Sequence, residues 1–179
     1  MLRWIAALAL ASALAPAAAA ANSAGLSTAA WWERVTVTLT GDGKTQSCRY
    51  ETSARPDGSK QCKVVGSDSS GEQQQIAARD EFATIIFERR FHPGTTQPED
   101  GGIQVGDTLL GRQVMALAID SGGKVSGCKV VATAGDLTPE YGCAQASAER
   151  FEAKAGKAES PARQGYMTVM IYGHSEHVA

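Results

Sequence analysis

The chain has 179 residues, a formal net charge of −2 and 43% hydrophobic residues. A mildly acidic balance without basic runs argues against nucleic acid and against an anionic membrane surface as partners. The N-terminal stretch MLRWIAALALASALAPAAAAANS carries one arginine, an apolar run and small residues ending in Ala-x-Ala. That layout predicts a secretory signal peptide, residues 1–21, cut near Ala21–Asn22; retention as an inner-membrane anchor is the alternative. Removing residues 1–21 leaves 158 residues at a formal charge of −3, enough for one ordinary domain or two very small ones.

Trp31–Trp32 open the mature region. One ring is expected to cap the core and the other to lie partly exposed. VTVTLT (35–40) alternates and is rich in β-branched residues, a Gly-Asp-Gly turn follows, and SCRYET (47–52) resumes the extended pattern, so a hairpin is predicted. SSGEQQQIAARDEF (69–82) reads as helical from Glu72, and EFATIIFERRF (81–91) as a strand. Residues 92–110 read as a linker.

The second half repeats the order. VMALAI (114–119), the turn DSGG and KVSGCKVVAT (124–133) form a second predicted hairpin. A helix is expected to follow, with Thr138 as N-cap and Pro139 at its first position. It has no glycine between Cys143 and Ala155, and Tyr141, Ala144, Ala148 and Phe151 would face the sheet. YMTVMIYG (166–173) returns as a strand, and 174–179 form a tail.

Cys48, Cys62, Cys128 and Cys143 all follow the leader. An even number in an exported chain favours disulfides over zinc, and the spacings of 14 and 15 fit no CxxC or zinc-knuckle pattern. Three pairings are open; local pairing, Cys48–Cys62 and Cys128–Cys143, is favoured. The near-equal spacings also point to an internal repeat. Sliding the chain by 80 positions places Gly43, Lys44 and Cys48 on Gly123, Lys124 and Cys128. The fold class expected is α+β: small antiparallel sheets in two strand–strand–helix–strand copies, 31–91 and 111–173.

Ser121 lies in an Asp-Ser-Gly-Gly run like that of trypsin-like proteases. Yet the repeat puts Gly41 at the equivalent place, and no Ala-His-Cys context is present. Ser121 therefore reads as a turn residue, and no catalytic residue is assigned. The tail HSEH (174–177) offers two histidines without supporting groups, so no metal site and no cofactor are assigned. Asp80–Glu81 and Glu149/Glu152 read as solvated charge.

The residues Gly111, Val114, Leu117, Ile119, Gly123, Val125 and Val130, with Arg150–Phe151 and the strand Met167–Tyr172, resemble the TonB C-terminal domain. The likeness covers 111–173, with a degenerate echo over 35–91; Ala153 stands near the point where the family often has proline. The resemblance implies a periplasmic compartment, a second strand tied by a disulfide to the helix, and an exposed last strand that pairs with an extended peptide of an outer-membrane transporter. The edge residues would be Tyr166, Thr168, Met170 and Tyr172; the alternative is that this strand is paired inside the sheet or against the first copy, which would cover the edges that a lone small sheet exposes. The expected function is a non-enzymatic periplasmic interaction module whose partner is an envelope or outer-membrane protein, touching the membrane only through that partner or an uncleaved N-terminus. The alternatives are an anchored TonB-type energy transducer and, after it, a small secreted hydrolase or metal-binding protein. Against the transducer, the six prolines are scattered and form no spacer.

Overall fold

The computed structural model describes residues 25–40, 45–53, 82–99, 104–153 and 162–175. These form strands β1 (Trp31–Leu39), β2 (Thr45–Thr52), β3 (Thr84–Pro93), β4 (Asp107–Ile119), β5 (Val125–Gly135) and β6 (Arg163–His174), with one helix, α1 (Cys143–Ala148). All six strands join one antiparallel sheet in the order β2-β1-β3-β6-β4-β5. The expected α+β class with two small sheets is thus corrected. The described residues are predominantly strand, and what were read as two sheets are one, joined through the last strand of each half.

The pairing scheme repeats at the offset seen in the sequence. Val37 opposes Cys48 and Val35 opposes Phe87 in the first half; Leu117 opposes Cys128 and Met115 opposes Met167 in the second, each residue 80 positions on. A register irregularity also recurs, at Thr38/Leu39 and at Ala118/Ile119. Along the central β3–β6 seam, Arg89 opposes Val169. Those two positions are themselves 80 apart, so the pseudo-two-fold relating the halves passes between them.

Alternation of side chains along each strand gives the sheet two buried faces. On one, Trp31, Phe91, Met115, Leu117, Ile119 and Met167 pack with Val125, Ala146 and Phe151. Phe91 stands between Trp31 and Phe151, with ring centroids 6.1 and 4.9 Å away. Gly165 makes room for it, because a Cβ there would lie 2.5 Å from the Phe91 ring. Truncating so enclosed an aromatic costs about 3–5 kcal/mol.

The helix is shorter than expected, six residues instead of a run from Thr138 to Ala155. Gly142, not Thr138, precedes it, its N–H donating to Gln145 Oε1 at 3.0 Å. Beyond Ala148 the chain turns extended, and its backbone groups are claimed by other segments. Phe151 N–H donates to the Gly123 carbonyl at 2.8 Å, Leu26 N–H to the Arg150 carbonyl at 2.7 Å, and Glu152 N–H to the Leu26 carbonyl at 2.8 Å. Long-range pairing here overrides alanine-rich helix propensity. In consequence Ala146 is the helix residue that is buried, while Ala144 and Ala148 are exposed. The start of the helix is fixed by the Cys128–Cys143 disulfide, which ties it to β5 with Cα atoms 5.6 Å apart. The Cys48–Cys62 pairing, the Gly-Asp-Gly turn, the first-half helix and the signal peptide lie outside the described residues. The expected linker 92–110 is shorter than read, because residues 92–93 complete β3 and residues 107–110 begin β4. Among the described residues no helix is long and apolar enough to cross a membrane.

Candidate functional site

On the helix-bearing face, a crevice opens above the pseudo-two-fold. Val35, Phe87, Val169 and Ile171 form its floor, and Pro139, Glu140 and Tyr141 of the segment leading into α1 overhang it. Its volume is about 70 Å³. At one end sits Arg89, a guanidinium on a strand whose neighbours on the same face are Ile85, Phe87 and Phe91. It donates to Glu33 Oε1 and to Glu149 Oε1, each at 2.6 Å, and lies 5.3 Å from the Trp31 ring centroid and 4.6 Å from that of Tyr141. The Tyr141 hydroxyl donates to Glu149 at 3.1 Å, and the Tyr50 hydroxyl to the other oxygen of Glu33 at 3.0 Å.

Burial works to lower the Arg89 pKa, but Glu33, Tyr141 and Glu149 outweigh it and hold the guanidinium charged above its usual range. Burial raises the Tyr141 hydroxyl well above the ordinary phenol. The cluster sets a paired guanidinium beside an apolar floor.

The opposite face carries a second buried charge. Glu88 has no exposed side-chain surface and accepts from Arg34 at 2.7 Å, from Arg90, and from the Tyr172 hydroxyl at 3.0 Å. Burial would raise the Glu88 pKa, but the hydrogen bonds from Arg90 and Arg34 prevail and lower it. The network bonds β1, β3 and β6 across the seam; with its carboxylate fully engaged, it fastens strands together.

The residues singled out in the sequence fall as follows. Ser121 stands in the β4–β5 turn, where Gly123 N–H donates to the Asp120 carbonyl at 3.1 Å and Lys124 N–H to Asp120 Oδ1 at 2.8 Å. Gly123 has φ +82°, and a Cβ on it would lie 1.9 Å from the Phe151 carbonyl oxygen, so only glycine fits. Trp31 is buried and Trp32 is 37% exposed. His174 Nδ1 lies 3.0 Å from Asp107 Oδ1, and no group of three or more potential metal ligands occurs among the described residues. His177, Asp80 and Glu81 lie outside them.

Two readings are corrected. Glu149 is not a solvated helix charge: it partners Arg89. And β6 is not an edge, being paired to β3 on one side and β4 on the other. Thr168, Met170 and Tyr172 are buried, and Tyr166 donates its hydroxyl to the Thr95 carbonyl at 3.0 Å. The edge that the TonB-like mode would use is thus occupied by the matching strand of the other half. Among the described strands the two edges of the sheet are β2 and β5.

Arg89 carries a sequence signal of its own. Within EFATIIFERRF, alternate positions 85, 87, 89 and 91 are apolar except for one arginine, and period-two reading places that charge on the buried face. No family model matches the chain, and neither the curated proteins nor the solved structures yield a match.

Proposed function

We propose that the chain is a non-enzymatic, exported interaction module of TonB C-terminal-like type, built from two copies, which takes up an extended segment of an envelope partner along the outer side of β5. The observation that carries this reading is the character of that strand. β5 is eleven residues long, pairs among the described strands with β4 alone, and leaves Val130 and Val131 each 40% exposed. An edge of this kind offers unpaired backbone groups, and adjacent apolar side chains supply selectivity. The register irregularity at Val114/Met115 makes Val131 the extra residue between Val130 and Ala132, a kink that limits which strands can align there. β2, the other edge, is shorter and bears the exposed Arg49–Glu51 pair, features that discourage strand addition.

The disulfide fits an oxidising compartment. Energy transduction fits less well. Leu26 is already hydrogen-bonded to the fold, so residues 22–24 alone separate the apolar leader from it, roughly 10 Å of fully extended chain. A transducer needs far more reach.

The test is site-specific photocrosslinking in the intact envelope, with the reactive group at Val131 or, for comparison, at Arg49. A discrete adduct from position 131 that disappears when Thr133→Pro is added supports strand addition at β5. Equal adducts from both edges, or adducts insensitive to proline, refute it. Mapping the N-terminus of the recovered protein tests export: a start near Asn22 supports it, and an intact Met1 contradicts cleavage.

A further inference from the structure

We propose that the β5 edge reads its partner through a trough on the face opposite α1, which takes a large aromatic side chain placed two residues from a carboxylate on the added strand; the inference rests on strand addition at β5. Met115, Leu117 and Ile119 of β4 pack on the helix-bearing face, so Ala116 and Ala118 point away from it. Register then sets two rows across three strands, Tyr166–Ala116–Lys129 and Gln164–Ala118–Gly127. Small side chains on β4, beside longer ones on β6, leave a hollow of about 410 Å³. Tyr166 makes its far wall, fixed in place by the hydrogen bond from its hydroxyl to the Thr95 carbonyl.

The second row has no wall at β5, because its last member is Gly127. The hollow therefore opens sideways, onto the strand edge itself. A glycine inside a strand weakens it and often marks a place where another backbone or a ligand comes close. Crowding does not account for this one: a Cβ on Gly127 would meet only the Ala118 Cβ, at 3.5 Å, an ordinary contact. A side chain of the added strand that stands opposite Gly127 enters across it, lies on Ala118 and Ala116, and ends against the Tyr166 ring, a path suited to a flat aromatic group. Residues on one face of a strand are two apart, so the next partner residue on this face stands opposite Lys129. Lys129 is exposed and forms no ion pair among the described residues; a carboxylate is its cross-strand complement.

The experiment is an amide-resolved NMR titration of the oxidised protein with acetyl-Thr-Glu-Val-Trp-Val-Glu-Thr-amide, which offers a glutamate two residues from the ring in either strand direction. Its Ala-centred counterpart is the control. The Trp-centred probe is expected to shift Ala118, Gly127 and Tyr166 together with Val130–Thr133, and to bind about 10-fold more tightly than the control, the scale of burying much of one ring. Gly127→Val fills the hollow and should remove that advantage while leaving the control unaffected. Lys129→Glu should weaken the Trp-centred probe by about 2–5-fold, the scale of one surface charge contact. Equal binding of the two probes, an advantage that survives Gly127→Val, or indifference to Lys129→Glu overturns the proposal; shifts at Val130–Thr133 in the same titrations leave strand addition at β5 standing. Shifts at Ala118 and Tyr166 without any at Val130–Thr133 also overturn it, since the ring then binds without the edge. Absence of shifts from either probe counts against strand addition itself and takes this inference with it.

Discussion

β3 and β6 occupy equivalent places in the two halves and lie side by side, yet their chemistry differs at nearly every matched position. β3 has Glu88, Arg89, Arg90 and His92 where β6 has Thr168, Val169, Met170 and Tyr172. Both strands are central in the sheet, but β6 is the more deeply buried: Arg89, Arg90 and His92 are half-buried where Val169, Met170 and Tyr172 are buried. The first half holds its seam strand with ion pairs on both faces, through Glu33 and Glu149 on one and Arg34 on the other. The second half holds its own by packing. One backbone scheme tolerates both solutions because strand pairing fixes the main chain, whereas each face needs only that its buried groups be apolar or fully partnered.

Removing one partner from the first half should reveal the contrast most strongly. Arg89→Ala leaves Glu33 and Glu149 without their shared cation and is expected to cost about 3–5 kcal/mol. The matched change Val169→Ala should cost about 2 kcal/mol. Replacing the charges together, Glu33→Gln with Arg89→Met, imitates the second half and should recover most of the loss. Denaturant midpoints at constant slope measure all three; a cost for Arg89→Ala no larger than that for Val169→Ala would remove the distinction.

The second half has its own fastening. Cys128→Ser with Cys143→Ser opens a loop spanning 15 positions and is expected to cost about 3 kcal/mol. The loss should be local first, with faster hydrogen exchange over residues 137–151 and little change on β1. Uniform acceleration across the sheet would mean that the arm is held by packing alone.

Acid should weaken the first half before the second. The Glu88 pKa is lowered in the fold because the hydrogen bonds from Arg90 and Arg34 outweigh burial. Its contribution is therefore complete above the ordinary glutamate range, near 4.5, and is lost as pH falls through the folded value. The His92 pKa is lowered by burial and by Arg90, so the unfolded chain binds that proton first. Stability should begin to fall below the ordinary histidine value of 6.5 and level off beneath the folded one. His92→Gln should abolish the upper part of the pH dependence and Glu88→Gln the lower part, read from unfolding midpoints between neutral and acid pH. An unchanged profile in both variants would place the acid sensitivity elsewhere.

The smallest effect on stability is expected at the proposed partner edge. Val130→Lys changes an exposed position and should alter stability by less than about 0.5 kcal/mol, while abolishing the position-131 crosslink. A large stability loss would show that Val130 serves the fold instead.

Local signals in the sequence determined the strands of both hairpins and the turn at Ser121, predicted that one ring of Trp31–Trp32 would be buried without saying which, and favoured the bridge between Cys128 and Cys143 over two other pairings. Each depends on alternation, on turn chemistry or on a short loop, all properties of neighbouring residues. The offset of 80 was also legible, and with it the equivalence of the halves. Tertiary structure alone decided that the last strands pair with each other. Backbone edges look alike in sequence, and the choice between an outside peptide and a strand 80 residues away rests on the intramolecular one being permanently at hand. Tertiary structure also cut the helix at Ala148, where the backbone of Arg150–Glu152 found partners in Gly123 and Leu26. And it gave Glu149 its role, since a carboxylate in an alanine-rich run shows nothing of an arginine 60 positions earlier until the sheet brings the two within 2.6 Å.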